Sequence, residues 1–313
     1  MYRVFLPSSS NPEQVSLLRD LIPENIEITS EEKRVDMAVC GRPTPGMLQA
    51  CSPKVLLIPF AGVPPATIEL VKRFPGVGVH NLHHNAPAAA ETALCLMLAA
   101  ARGITVADAA LRRGDWSSRY NPGTTLLLGG SRVLILGHGC IGRRLRRVCE
   151  ALDATVDALR RTPDPDPAVH TPEKLHTLLE GVDFLVGCLP LTAETRGMIG
   201  PEELSLLHSR SIVVNVGRAE VFQEEALFSA LFRGEIGGAG LDVWYRYPGD
   251  PSNTLPSRFP FHTLPSVVMS PHRGGAWGVP ELERQRTEGI ARAIRAGAKG
   301  MPVPHPVCLE RGY

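Results

Sequence analysis

Short apolar runs rich in β-branched residues alternate with segments of helical pattern along most of this chain. Such an alternation predicts strand–helix–strand units, which build parallel sheets that are covered by helices on both faces. In the first third of the chain the predicted strands are Val4–Leu6, Met37–Cys40 and Val55–Ile58. This feature constrains the fold more than any other, and it predicts an α/β protein.

A second series of predicted strands follows an apolar helical pattern that runs from about Pro87 to Arg113. The six strands are Val133–Leu136, Thr155–Ala158, Phe184–Val186, Ile212–Asn215, Gly238–Leu241 and Val267–Met269. Helical segments separate most of them, which favours a doubly wound nucleotide-binding sheet. With 313 residues the chain has enough material for two domains, each with its own core.

The charge balance and the cysteines argue against several classes of function. The net charge of +1 leaves no large excess of either sign, so we expect neither a nucleic-acid nor a membrane partner. The seven cysteines are irregularly spaced and form no CxxC pair, so neither a disulfide framework nor a metal site is predicted. No segment resembles a targeting sequence, and free thiols fit a reducing cytoplasm.

A glycine-rich corner supplies the first functional signal. The segment from Gly137 to Gly142 matches G-x-G-x-x-G, and it lies between an apolar strand and a predicted helix, Ile141–Leu152. In that context Gly137 permits a tight turn, Gly139 lets the backbone approach a pyrophosphate, and Gly142 allows close packing of helix on strand. The N–H groups at the helix start would then face the phosphates. A plain strand–turn–helix corner is the alternative.

The end of the next strand indicates which dinucleotide binds. In NAD-binding units this strand ends in an acidic residue that holds the ribose diol. Here the tip carries Arg160 and Arg161, whose guanidinium groups would attract a 2′-phosphate. We therefore expect NADP(H) rather than NAD. The alternative is that both arginines are surface charges and that Asp157, in the middle of the strand, reaches the ribose.

Three blocks span or follow the predicted ends of later strands, where ligands bind in open α/β sheets. They are Asn215–Leu227, Gly238–Pro248 and Ser270–Ala276. Arg218 offers a forked, permanently charged group for a carboxylate and a carbonyl oxygen. His272 can donate or accept a proton because an imidazole titrates near neutrality. Taken singly, Arg218 could be a surface ion-pair residue, and His272 a hydrogen-bonded core histidine.

These blocks together resemble the D-isomer-specific 2-hydroxyacid dehydrogenase family, in particular its glyoxylate/hydroxypyruvate reductases. Three other segments also resemble the family. Pro59–Val63 resembles its substrate loop, and His80–Pro87 with Ala90–Ala93 resembles its interdomain helix. Leu189–Thr195 resembles its loop after the fourth strand. The resemblance covers nearly the whole chain. It implies two doubly wound parallel-sheet domains. A Rossmann NAD(P)-binding domain of residues 99–279 would be inserted in a flavodoxin-like substrate domain of residues 1–98 and 280–313.

The resemblance implies an oxidoreductase that transfers a hydride between NAD(P)H and a small 2-keto acid or 2-hydroxy acid. Reduction would be the working direction, with glyoxylate or hydroxypyruvate as reasonable substrates. The resemblance also implies a homodimer that is built partly on the predicted helix from Pro87 to Arg113.

Individual residues receive roles from the same resemblance. Arg218 and His272 would be catalytic. The substrate carboxylate would be held by the backbone of Ala61, Gly62 and Val63. The cofactor-binding residues would be Gly137, Gly139, Cys140, Ile141, Gly142, Arg160, Arg161, Leu189, Pro190, Thr195, Val216, Gly217, Asp242 and Gly274.

One position departs from the family's pattern. Where members usually carry a glutamate that supports the catalytic histidine, this chain has Tyr247. We count Tyr247 among the catalytic residues because its hydroxyl can orient an imidazole, although it carries no charge at neutral pH. We expect His272 to titrate lower than in typical members. A loop carboxylate such as Asp250 is the alternative replacement for the glutamate.

The same departure leaves two other functions open. Proteins similar to the family, such as C-terminal binding protein corepressors, use the dinucleotide fold as a sensor for protein partners. A sensor with weakened catalysis would tolerate the loss of the glutamate. A dehydrogenase of another small anion, such as formate or phosphite, would be compatible with the same arginine and histidine.

Overall fold

The computed structural model of the chain describes residues 1–121, 123, 125–248, 254–276 and 278–313. Its strands are β1 (Tyr2–Phe5), β2 (Ile26–Thr29), β3 (Met37–Val39), β4 (Val55–Ile58), β5 (Gly78–Asn81), β6 (Arg132–Leu136), β7 (Thr155–Leu159), β8 (Val169–His170), β9 (Phe184–Gly187), β10 (Ile212–Asn215), β11 (Gly238–Leu241) and β12 (Val267–Met269). Its α-helices are α1 (Pro12–Leu21), α2 (Pro45–Cys51), α3 (Pro65–Val71), α4 (Ala86–Ala101), α5 (Ile104–Leu111), α6 (Ser117–Tyr120), α7 (Cys140–Ala151), α8 (Leu175–Leu179), α9 (Pro201–Ser205), α10 (Glu224–Phe232) and α11 (Pro280–Ala298).

The first of two compact units comprises Met1–Asn85 and Ala276–Tyr313, and its five strands form one parallel sheet. The strand order β2-β1-β3-β4-β5 is that of flavodoxin-like sheets, as predicted. Neighbouring residues of β1 point to opposite faces, so Val4 and Phe5 belong to separate apolar clusters. The sequence did not predict β2 and β5, because each has only 4 residues and mixes apolar with polar side chains.

The second unit comprises Ala86–Gly275, and its seven parallel strands follow the order β12-β11-β10-β9-β6-β7-β8. Counted within this unit, the order is that of a Rossmann sheet with one further strand beyond the sixth. The predicted architecture of this sheet, a parallel sheet of Rossmann strand order, is therefore confirmed. β8 was not predicted because a strand of 2 residues has no readable pattern.

The prediction of one long helix from Pro87 to Arg113 is wrong. α4 ends at Ala101, and Gly103 adopts a left-handed conformation with φ of 57° before α5 begins. Glycine accepts this conformation without the steric cost that a Cβ imposes, so the chain can turn here. The axes of α4 and α5 make an angle of 65° at the break.

Among the residues that the structure describes, no single helix is long and apolar enough to cross a membrane. The helices α4 and α5 meet that criterion only when they are taken together as a bent pair.

The unit boundaries differ from the predicted ones at 98/99 and 279/280. The structure divides the chain after Asn85 and after Gly275. The physical reason at the first boundary is the packing of α4 on the seven-stranded sheet. A Cβ on Gly240 of β11 would lie 2.7 Å from Cβ of Leu96, so strand and helix approach as closely as a glycine allows.

Candidate active site

The glycine corner between β6 and α7 is the most tightly built part of the second unit. Gly137 has φ of 112°, a conformation that favours glycine. A Cβ on Gly142 would lie 1.9 Å from the carbonyl oxygen of Gly137, so only glycine fits this position. The first turn of α7 therefore rests directly on the end of β6, as the motif predicts.

The same corner leaves room on its outer side. Gly139 precedes α7 as its N-cap residue, and a Cβ placed on it would meet nothing within 4 Å. Cys140 and Ile141 begin the helix, and their backbone N–H groups have no partner within the helix. Open space, free N–H groups and the positive end of a helix dipole fit the pyrophosphate of a dinucleotide.

The tip of β7 carries the two arginines that were expected to bind a 2′-phosphate. The guanidinium of Arg160 is ion-paired with Asp164, four residues along the loop. Arg161 is exposed beside it. Asp157, in the middle of the strand, makes a 2.8 Å hydrogen bond with Nε2 of His170 in β8. One carboxylate oxygen of Asp157 is therefore already engaged.

The loops after β9 and β10 meet at the same carboxyl edge of the sheet. A Cβ on Gly217 would lie 2.6 Å from the carbonyl oxygen of Leu189, so the two loops touch through their backbones. The Thr195 hydroxyl donates a 2.7 Å hydrogen bond to the carbonyl oxygen of Pro190, which folds the first loop back on itself. Val216 is buried beneath them. The structure thus brings these five predicted cofactor-binding residues together.

Arg218 follows β10 in a turn that Asn215 holds. The Asn215 amide nitrogen donates to the carbonyl oxygen of Arg218 at 3.0 Å, and its amide oxygen accepts from the N–H of Gly217 at 3.0 Å. The guanidinium of Arg218 is partly buried and donates from Nη1 to the carbonyl oxygen of Gly217 at 2.7 Å. One of its N–H groups is therefore used to orient it.

The loop after β12 carries His272, and a buried carboxylate holds that loop. Asp242 accepts hydrogen bonds from the N–H of Arg273 and the N–H of Gly274, both at 2.8 Å, and from the hydroxyl of Ser270. Asp242 is 1% exposed, so it is not a surface ion. His272 has φ of 57°, which is unfavourable for a residue with a side chain. The three hydrogen bonds to Asp242 stabilise that conformation.

The imidazole of His272 lies at the unit's surface, but the protein around it removes part of its hydration. This desolvation lowers the pKa of His272. The carboxylate of Asp242 raises that pKa, and the guanidinium of Arg218 lowers it. Arg218 follows β10 and His272 follows β12, so both predicted catalytic residues lie at the carboxyl edge of the same sheet.

Tyr247 packs against His272 through its ring. The ring centroids are 5.4 Å apart with an angle of 50° between the planes. The Tyr247 hydroxyl accepts a 3.2 Å hydrogen bond from the backbone N–H of Trp244, and no hydrogen bond from it to the imidazole is formed. Tyr247 therefore contacts His272 without supplying a charge. Asp250, the other predicted replacement for a glutamate, lies outside the described residues.

The predicted substrate loop belongs to the first unit and lies between β4 and α3. Ala61, Gly62 and Val63 are all partly buried. The carbonyl oxygen of Ala61 accepts a 2.6 Å hydrogen bond from the amide nitrogen of Asn81, whose side chain is buried at the end of β5. This bond fixes the direction of the loop as it leaves the strand.

A comparison with known sequences identifies the family. Residues 94–274, more than half of the chain, match the model of the D-isomer specific 2-hydroxyacid dehydrogenase, NAD binding domain. The chain belongs to the D-isomer-specific 2-hydroxyacid dehydrogenase family. The resemblance that the sequence motifs indicated is thereby confirmed.

Two relatives and one solved structure show how far the likeness extends. The glyoxylate reductase of Korarchaeum cryptofilum is 33% identical over 228 residues, which are 71% of this chain and 66% of that protein. The D-3-phosphoglycerate dehydrogenase of Archaeoglobus fulgidus is 32% identical over 255 residues, which are 75% of this chain and 46% of that protein. The chain thus spans about half to two thirds of the length of these relatives. A D-isomer specific 2-hydroxyacid dehydrogenase from Xanthobacter autotrophicus Py2, solved with NADPH and MES, matches with a TM-score of 0.81 and 26% identity over 100% of this chain and 99% of that one.

Sequence reasoning missed the roles of Asn215 and Asp164 in this 2-hydroxyacid dehydrogenase homologue, and it missed part of the role of Asp242. Asn215 begins a block that was singled out, yet its role in holding the Arg218 turn depends on hydrogen bonds that no motif records. Asp242 was predicted to bind the cofactor, and its contacts with the His272 loop were not foreseen. Asp164, which lies among the prolines that follow β7, received no role from the sequence. Its spacing of four residues from Arg160 was the one available signal.

Proposed function

We propose that this chain reduces a small 2-keto acid to the corresponding 2-hydroxy acid, with NADPH preferred and NADH also used. The observation that carries the proposal is the position of Arg218 and His272, which follow the carboxyl ends of β10 and β12. Both side chains stand at the carboxyl edge of the seven-stranded sheet, where open α/β sheets bind their ligands.

The dinucleotide would lie along that carboxyl edge. Its pyrophosphate would meet the N–H groups around Gly139 at the start of α7, and its 2′-phosphate would approach Arg160 and Arg161. Leu189, Pro190, Thr195, Val216, Gly217, Asp242 and Gly274 would line the remainder of the site. When bound, NADPH supplies the hydride.

The chain's own residues would bind the keto acid and move the proton. Arg218 is permanently charged, and its forked N–H groups suit a carboxylate together with a carbonyl oxygen. The imidazolium of His272 would donate a proton to that oxygen during reduction, and the neutral imidazole would accept it during oxidation. Tyr247 would keep the ring in place by packing.

We assign the first unit, Met1–Asn85 with Ala276–Tyr313, to the substrate and the second unit to the cofactor. Backbone N–H groups of Ala61, Gly62 and Val63 would hold the substrate carboxylate.

We also propose a cytoplasmic homodimer. The dimer is supported by exposed apolar side chains on α4 and α5, namely Leu98, Ile104, Val106 and Leu111. The compartment is supported by the absence of disulfides among the described residues.

An oxidation assay tests the proposal. The protein is mixed with NADPH or NADH and one of a panel of small 2-keto acids, and the loss of absorbance of the reduced dinucleotide is followed. We expect turnover with at least one acid and a preference for NADPH. His272→Gln should lower kcat/KM by about 1,000-fold through loss of the proton donor while NADPH binding persists. His262→Gln, which changes an exposed histidine elsewhere, is the matched control and should retain activity.

Two negative results have different meanings. Tight binding of NADPH without turnover of any acid would favour the dinucleotide-sensing alternative and would make Tyr247 the first residue to revert to glutamate. Absence of binding by either dinucleotide would contradict the proposed function as a whole.

A further inference from the structure

The loop between β7 and β8 is organised by two aspartates. One carboxylate oxygen of Asp164 accepts a hydrogen bond from the Arg160 guanidinium. The other oxygen accepts a 3.2 Å hydrogen bond from the N–H of Asp166. The side chain of Asp164 is 17% exposed and that of Arg160 is 40% exposed. The pair therefore lies at the surface, with the carboxylate on its inner side.

Asp166 fastens this loop to the glycine-corner helix. Its carboxylate pairs with Arg146 of α7 at 2.6 Å and also accepts a 3.0 Å hydrogen bond from the N–H of Ala168. Arg146 is 16% exposed and makes a second 2.6 Å ion pair with Glu150. Because the loop is held at this point, Asp164 stays beside Arg160.

The carboxylate of Asp164 is ionised at neutral pH. The N–H of Asp166, and next the guanidinium of Arg160, lower the pKa of Asp164 below its ordinary value. The tip of β7 therefore presents the Arg160 charge together with a fixed negative charge. The positive potential at this tip is weaker than two adjacent arginines would suggest.

This arrangement affects the two dinucleotides in opposite directions. A 2′-phosphate that approaches Arg160 meets a like charge on Asp164, and it has to compete with that carboxylate for the guanidinium N–H groups. A ribose diol, in contrast, gains a carboxylate acceptor at the strand tip. Asp157 is placed less well for this role, because it lies in the middle of β7 and one of its carboxylate oxygens is engaged with His170.

We propose that Asp164 sets the dinucleotide selectivity of this protein by weakening the preference of Arg160 for a 2′-phosphate. The inference rests on the proposed function, since it concerns the same cofactor site. Asp164 makes the site tolerant of both NADPH and NADH, and its removal makes the site selective for NADPH.

Asp164→Asn is the sharpest test because it changes the charge and little else. The asparagine side-chain oxygen can still accept from the N–H of Asp166, so the turn is kept. Dissociation constants for NADPH and NADH, measured by isothermal titration calorimetry, give the ratio Kd(NADH)/Kd(NADPH). We expect this ratio to rise by about three- to ten-fold in the variant.

Glu150→Gln is the matched control. It removes one negative charge from the same ion-pair cluster but leaves the Asp164–Arg160 pair intact. We expect it to leave the ratio unchanged. Arg160→Gln should lower the ratio below that of the wild type. If Asp164→Asn does not fold, Asp164→Ser supplies a second neutral side chain that can accept from the same N–H.

An unchanged ratio in a folded Asp164 variant would overturn the inference. A weaker affinity for NADPH would also overturn it, because Asp164 would then be orienting Arg160 for the phosphate. Binding of neither dinucleotide by the wild-type protein would overturn the proposed function and this inference with it. Dinucleotide binding with an unchanged ratio would overturn this inference alone.

Discussion

The glycine corner and the His272 loop lie at the same edge of one sheet but are held in place by different means. In the corner, the backbone of Gly142 packs directly on the backbone of Gly137. This contact is possible only because Gly142 has no Cβ. In the His272 loop, the buried carboxylate of Asp242 accepts hydrogen bonds from residues about thirty positions further along the chain.

The contrast separates two kinds of determinant. The close contact of Gly142 with Gly137 joins neighbours in sequence, so a short motif can describe it. The loop depends on a distant side chain, and its histidine has a backbone conformation that would be unfavourable alone. Substitutions should therefore affect folding most at the corner and chemistry most at the loop.

Gly142→Ala should have the largest effect on folding. Its Cβ would stand 1.9 Å from the carbonyl oxygen of Gly137, so helix α7 has to move away from β6. We expect the free energy of unfolding to fall by about 3 kcal/mol in urea titrations, the upper range for overpacking. Gly139→Ala is the control, because its Cβ meets nothing within 4 Å. Gly139→Ala should lower the free energy of unfolding by less than about 1 kcal/mol. It should still weaken NADPH binding, because its Cβ would occupy space that the proposal gives to the pyrophosphate. Equal losses of stability in both variants would contradict the close-packing explanation.

Asp242→Asn should act mainly on the chemistry. The asparagine keeps one acceptor oxygen but turns an amide NH2 toward N–H donors of the loop, so one of them loses its partner. The expected cost is about 2 kcal/mol of stability, and displacement of His272 should lower kcat/KM by roughly 100-fold. Ser270→Ala, which removes one of the three donors, should have a smaller effect on both quantities. A fully active Asp242→Asn variant would show that the loop holds His272 without this carboxylate.

Tyr247→Glu should shift a pH profile and change little else. A carboxylate beside the imidazole favours its charged form and should raise the pKa of His272. Reduction needs the imidazolium, so the fall of its rate with rising pH should move to higher pH. Tyr247→Phe removes the hydroxyl that accepts from Trp244 but adds no charge, and its profile should match the wild type. Coincident profiles for the glutamate variant and the wild type would mean that position 247 does not act on His272 electrostatically.

The sequence predicted those features whose determinants are local. Alternating runs indicated two parallel sheets, and the spacing of Gly137, Gly139 and Gly142 after an apolar strand located the corner. The break at Gly103 was missed, because a lone glycine in an apolar helical pattern does not reveal its φ.

The candidate site was less predictable where it depends on pairs of side chains. Arg160 looked like a free cation in the sequence, and its pairing with Asp164 follows from the conformation of one loop. The contact of Tyr247 with His272 was suggested by resemblance alone. That the tyrosine hydroxyl is used by Trp244 could be learned only from the structure.

The most direct test of this account is the pH dependence of kcat/KM for 2-keto acid reduction by the wild-type protein. His272 must be protonated to donate, and desolvation lowers its pKa. Since the imidazolium is lost as pH rises through a lowered pKa, reduction should be fastest at mildly acidic pH. The fall should begin below the value near 6.5 at which an ordinary imidazole titrates. A rate that stays flat to about pH 8 would contradict the assignment of His272 as a proton donor with a lowered pKa.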